Sequence, residues 1–165
     1  MTRDEIRQIA DIVDGDNSYR HFVHRINKEF DNADASRNAR VHVLFEELDD
    51  ERIGFCVIGI SEAKMRVWQK MFIDEGWVDT SFKIDPSAYE LMYMYVKPDL
   101  RSRGIGSKIL NRAFNFTREN GVHDVYAYVS DRSNSSLEFY KKMDAEVIQD
   151  FSDSGITSAF IHWQV

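Results

Sequence analysis

Apolar residues recur every three or four positions along 4–13, where Ile6, Ile9, Ile12 and Val13 share one stripe, and again along 18–30 through Phe22, Val23, Ile26 and Phe30. That period predicts two amphipathic helices, separated by Gly15-Asp16-Asn17-Ser18, which supplies a turn and an N-cap. Residues 31–40 are polar and read as a loop. The apolar runs Val41–Leu48 and Arg52–Ser61 around Asp49-Asp50-Glu51 predict an antiparallel hairpin. From Glu62 to Ser87, Ala63, Val67 and Met71, with Trp68 and Phe72, predict a short helix ended by Glu75-Gly76, then a loop carrying Trp77 and Phe82 to Pro86. Two readings of this segment stay open: a helix packed on the domain, or an aromatic lid that closes on a ligand.

The second half of the chain alternates. A strand is predicted at Tyr89–Val96, and a helix from Gly104 to about Asn120, with Ile105, Ile109, Leu110, Ala113 and Phe114 on its apolar side and Asn120-Gly121 as its C-terminal cap. His123–Val129 is a strand apolar on both faces, as in a buried sheet. A helix at Ser135–Met143 has Ser135 and Glu138 at capping-box spacing, and strands follow at Ala145–Phe151 and Ile156–Gln164. The mixture predicts an α/β fold, and 165 residues at 43% hydrophobic composition suit one domain spanning 1–165. No stretch approaches the roughly 20 apolar residues that span a bilayer, and no signal-peptide core follows the charged N-terminus, so no membrane partner and a cytoplasmic location are expected. The net charge of −7 argues against a nucleic-acid partner and suits a cationic substrate. Cys56 lies in an apolar run and reads as a packed side chain rather than a nucleophile.

Candidate chemistry concentrates in Val96-Lys97-Pro98-Asp99-Leu100-Arg101-Ser102-Arg103-Gly104-Ile105-Gly106-Ser107, an Arg-x-x-Gly-x-Gly loop between strand and helix. Glycines let backbone approach phosphate oxygens, and the N–H groups and dipole of the first helical turn favour their charge. Arg101 and Arg103 add donors and positive charge. A Rossmann fingerprint needs a third glycine where Ile109 stands, and a P-loop needs a Gly-Lys-Ser/Thr order where Gly106-Ser107-Lys108 stands.

The strand Leu91–Val96, the loop Arg101–Gly106 and, roughly thirty residues later, Asn134-Ser135-Ser136-Leu137-Glu138-Phe139-Tyr140 together resemble the GNAT superfamily of N-acetyltransferases. The resemblance is specific from about Tyr89 to Ile148. It implies one domain with a central mixed, mostly antiparallel sheet flanked by helices, whose splayed strands form a wedge for acetyl-CoA. It places the pyrophosphate on the N–H groups of Arg101, Ser102, Arg103, Gly104, Ile105, Gly106 and Ser107. The pantetheine would bond to main-chain groups of Met94, Tyr95 and Val96, with Asn134 beside it. The Met94 N–H would hold the thioester carbonyl, and a bulge would open the wedge.

By the same resemblance Tyr140 is the general acid that returns a proton to the leaving thiolate, and Glu90 is the general base, because its spacing from Arg103 matches the histone-acetylating branch. No metal is implied. Two departures stand out: Asp144-Ala145 replaces the usual Gly-Phe after the tyrosine helix, and no strand is evident before residue 4. The expected activity is transfer of acetyl from acetyl-CoA to a primary amine, with a small cationic molecule ranked above a protein lysine or N-terminus. A non-catalytic CoA-binding sensor is the alternative from another class, and a longer acyl donor is disfavoured by bulky Met92, Met94 and Phe139. Homodimer formation through the C-terminal strands is expected by analogy with such folds.

Overall fold

A computed structural model of the chain describes residues 1–16, 19–35, 39–131, 135–153 and 155–165. Its elements are α1 (Arg3–Ile12), α2 (Arg20–Ala35), β1 (Ala39–Leu48), β2 (Glu51–Ser61), α3 (Glu62–Asp74), β3 (Tyr89–Val96), α4 (Ile105–Glu119), β4 (Asp124–Asp131), α5 (Ser135–Lys142), β5 (Glu146–Asp150) and β6 (Thr157–Gln164). The strands bond in the order β1-β2-β3-β4-β6-β5. β3 pairs with β4 in parallel, whereas β6 is antiparallel to both β4 and β5, so the sheet is mixed. No strand precedes α1 among the described residues.

The chain divides into two compact units, Met1–Ile60 with Met92–Phe116, and Ser61–Leu91 with Thr117–Val165. In the first, Ile6, Ile9 and Ile12 of α1, Val13 just after it and Ile26 of α2 bury against Val41, Val43, Phe55, Val57 and Tyr95. Thr2 caps α1 in a capping box with Glu5. α2 runs on to Ala35, so the loop expected over 31–40 shrinks: the polar residues there are the wet face of a helix whose Ala33 still packs on the core. Of Gly15-Asp16-Asn17-Ser18, expected to supply the turn and N-cap, Asn17 and Ser18 lie outside the described residues. Asp49 and Asp50, both in the left-handed region, make the two-residue turn between β1 and β2.

In the second unit α3 is packed rather than a lid. Met65, Trp68 and Phe72 bury with Ile84, Ala88, Tyr126 and Phe160. The stripe expected through Ala63 and Val67 is displaced, since Val67 is 63% exposed while Met65 is buried. The Ile84 N–H donates to the Gln69 side chain, which ties the following loop to α3. α3 ends in a Schellman motif: the Trp77 N–H reaches the Phe72 carbonyl, the Gly76 N–H reaches that of Ile73, and Gly76 has φ +70°. The Trp77 ring lies 5.9 Å from that of Phe72 and completes the motif's hydrophobic contact. α4 ends the same way at Gly121, as its Asn120-Gly121 signature predicts. α5 begins at Ser135, where the capping-box spacing expects a cap.

Candidate active site

Chain direction at the end of β3 is set by backbone. The Lys97 N–H donates to the Ile53 carbonyl, and the Tyr95 carbonyl faces Gly54 of β2, where an added Cβ would sit 2.7 Å from it. Main-chain groups alternate between the two edges of a strand. Those of Tyr95 are therefore turned to β2, and those of Met94 and Val96 to the opposite edge.

A 3-10 turn at Pro98–Leu100 leads into the loop, where Ser102 has φ +60° and Gly104 φ +80°. Arg101, Ser102, Arg103 and Gly104 are exposed, and Ile105, Gly106 and Ser107 are half-buried. The first helical bond of α4 runs from the Lys108 N–H to the Gly104 carbonyl, so the N–H groups of Ile105, Gly106 and Ser107 have no helical acceptor and project from the helix end. That is an anion-binding geometry. Ile109 and Leu110 anchor α4 in the core, and the buried Glu46 of β1 pairs with Lys108 and Arg112 on its outer side.

The side chain of Arg101 braces the loop. Its Nε donates to the Val96 carbonyl at 2.9 Å, its guanidinium lies 3.6 Å from the Asp16 carboxylate, and it covers the rings of Tyr19 and Tyr95. The Tyr95 hydroxyl donates to Asp16, and burial together with that bond pushes its pKa up to about 12. Of the two arginines expected to add charge for phosphate, Arg101 is thus engaged with its own unit, and Arg103 is exposed.

The second unit places Glu90 and Tyr140. The β3–β4 ladder consists of Tyr89↔Val125 and Glu90↔Tyr126, at the start of β3. Register partners share a face. With Tyr126↔His162 and His162↔Glu146, one face carries the row Glu90, Tyr126, His162, Glu146. The Tyr126 ring stacks on His162 at 4.5 Å, and His162 Nε2 lies 2.8 Å from Asp124. Burial, then the charges of Asp124, Glu146 and Asp85, push the Tyr126 phenol far above its ordinary value, so it stays protonated. Glu90 is buried, and Lys64 Nζ of α3 stands 2.8 Å from both its carboxylate oxygens.

The opposite face carries Val125 and Trp163. There Tyr140 of α5 meets Trp163 edge-on at 5.4 Å, and the Trp163 indole N–H donates to the Met143 carbonyl. Glu90 and Tyr140 therefore address the two faces of one sheet. Asp144, at φ +62°, takes the left-handed position of a Schellman motif, with Ala145 N–H to Tyr140 carbonyl and Asp144 N–H to Lys141 carbonyl. The turn survives the replacement of glycine.

A family model described as acetyltransferase (GNAT) family matches residues 6–145. The chain belongs to the GNAT family. A curated relative, an uncharacterized N-acetyltransferase of Methanocaldococcus jannaschii, is 30% identical over 73 residues, 44% of this chain. The match spans 31% of that relative's length. Among solved structures, the PaiA N-acetyltransferase of Thermoplasma acidophilum, in complex with coenzyme A, matches all of this GNAT chain and 96% of its own. Its TM-score is 0.62 at 15% identity. A GNAT chain from Desulfovibrio desulfuricans matches at TM-score 0.66 and 14% identity, over 99% of this chain and 94% of its own. A GNAT family acetyltransferase from Elizabethkingia anophelis with acetyl-CoA bound matches at TM-score 0.54 and 12% identity, over 84% and 82%. These likenesses establish the fold.

Asn134 lies outside the described residues. Lys64, Trp68, Asp16 and Tyr19 carry no sequence signal of their own: each acquires its role from a partner far along the chain. Cys56 is fully buried, and burial raises its thiol to about 12, in keeping with a packed side chain.

Proposed function

We propose that this GNAT chain transfers the acetyl group of acetyl-CoA to a primary amine, preferentially that of a small cationic molecule, by direct attack in a ternary complex. The observation that carries this reading is the placement of Glu90 and Tyr140 on opposite faces of the sheet at the end of the β3–β4 ladder. A base is needed where the amine arrives and an acid where the thiol leaves, and these two groups divide those roles by face.

The residues present suit acetyl-CoA, which supplies a thioester activated for acyl transfer. The N–H groups of Ile105, Gly106 and Ser107 at the α4 entrance take the pyrophosphate, with Arg103 beside them. Main-chain groups of Met94, on the edge turned from β2, hold the pantetheine arm and the carbonyl oxygen. Glu90 accepts the proton of the attacking ammonium. Tyr140 donates its phenolic proton to the departing sulfur, a match for a phenol whose ordinary pKa is roughly 10. Asp124 and Glu146 lie on the same face as Glu90, which favours a cationic acceptor over a neutral one.

The test is CoA release from acetyl-CoA across polyamines, aminosugars, amino-acid derivatives and lysine peptides. One amine class is expected to support turnover. Tyr140→Phe should lower kcat by about a hundredfold or more while leaving the KM for acetyl-CoA near its original value. If acetyl-CoA raises the melting temperature but no amine is acetylated, the chain is a CoA-binding sensor and this reading is wrong.

A further inference from the structure

The amine nearest the proposed base is the chain's own. Lys64 Nζ contacts both oxygens of the buried Glu90 carboxylate at 2.8 Å and lies 5.5 Å from the centre of the Trp68 ring. A carboxylate with an aromatic face beside it is the chemistry by which proteins seat a primary ammonium. Lys64 arrives there from the first turn of α3, whose backbone Ser61 caps through the Lys64 N–H. Its side chain is 34% exposed, whereas that of Lys70, paired with Asp74 along the same helix, is 76% exposed.

Lys108 gives the contrast. It too pairs with a buried carboxylate, Glu46, but that carboxylate is also held by Arg112 and has no part in the proposed chemistry. Lys64 alone of these lysines is in contact with the group that would deprotonate an acceptor.

We propose that Lys64 is an acetyl acceptor: with acetyl-CoA bound and no external amine, the chain acetylates its own Lys64 Nζ. The inference rests on Glu90 acting as the base. Glu90 takes one proton from the Lys64 ammonium, the neutral Nζ forms a bond to the acetyl carbon, and as the carbon–sulfur bond breaks the acylated nitrogen gives up its second proton to solvent. The thiolate receives the Tyr140 proton, and solvent restores both groups. The sum is lysine ammonium plus acetyl-CoA giving N-acetyl-lysine, CoA and one proton. Acetylation discharges the cation paired with Glu90 and leaves the ammonium seat to an external amine that can enter it, so Lys64 also marks the acceptor's position.

Purified chain is incubated with acetyl-CoA alone, and its intact mass and peptide map are followed alongside Lys64→Arg, Tyr140→Phe and Glu90→Gln. The expected result is one added acetyl group, localised to Lys64, lost in Lys64→Arg and slowed at least tenfold in the other two variants. A primary amine that supports turnover should compete with it. If amine-dependent CoA release occurs while Lys64 stays unmodified, self-acetylation is wrong and the proposed function stands. Label spread over Lys64, Lys70 and Lys108 at one rate, indifferent to Tyr140→Phe, also overturns it as mere chemical acetylation. Absence of both self-labelling and turnover with any amine fails both readings together. Should Tyr140→Phe or Glu90→Gln unfold, the ratio of Lys64 to Lys108 labelling in the unaltered chain decides.

Discussion

Asp144 holds a backbone conformation, φ +62°, in which a side chain other than glycine is strained. Asp144→Gly should therefore raise stability by about 0.5–1 kcal/mol, and Asp144→Val should lower it by at least as much, read from urea unfolding midpoints at unchanged slope. The effect is worth measuring because the same turn fixes the end of α5, on which Tyr140 sits. Cys56 supplies a second test at this scale. Full burial and a thiol held near 12 predict that thiol reagents leave the native chain unlabelled and react once it unfolds. Residue chemistry is legible from sequence when it is local or spaced by a motif. Glu90, Tyr140 and Gly104 become candidates that way, and Asp144 is flagged as a glycine substitute, which its φ bears out. Lys64 does not, because an exposed-looking lysine on a helix becomes special only through a carboxylate on a later strand, and the engagement of Arg101 by Asp16 is hidden for the same reason.

At the scale of elements, the position of α4 decides where the N–H groups of its first turn point. Gly54 of β2 makes that position available: an added Cβ would lie 2.7 Å from the Tyr95 carbonyl oxygen and 2.9 Å from Ile109 Cδ1. One neighbour is backbone and the other is a buried anchor of α4, so neither yields without moving β3 or the helix. Gly54→Ala should cost about 1–3 kcal/mol of stability and raise the KM for acetyl-CoA several-fold with a smaller effect on kcat. An unchanged KM in a folded variant would separate helix placement from cofactor binding. Element ends were legible where glycine marks a Schellman turn, at Gly76 and Gly121. They were not at α2, because polarity beyond Phe30 marks a loop and the wet side of a helix alike. α3 shows the same limit in its orientation: Val67 and Met65 are both apolar, and only the packing of Trp68 and Phe72 on Phe160 chooses which is buried.

Stability of the whole molecule carries a proton dependence that its charge does not reveal. His42 of β1 is half-buried, with its ring 5.0 Å from that of Phe116. Burial first, then the positive N-terminus and Arg40, lower its pKa below 6.5, while Glu5 opposes them. The unfolded chain, with an ordinary histidine, then binds more protons than the folded one in the interval beneath 6.5. Folded stability from this group is complete above that value and is lost as pH falls through the interval toward the lowered pKa. The informative quantity is the difference between the chain and His42→Phe, which keeps an aromatic ring beside Phe116 without a titrating nitrogen. Melting temperatures taken from about pH 8 to about pH 5.5 should fall less steeply for His42→Phe, with the two curves converging at the alkaline end. Parallel curves would show that His42 titrates alike in both states and that burial on β1 does not set the acid sensitivity of the fold.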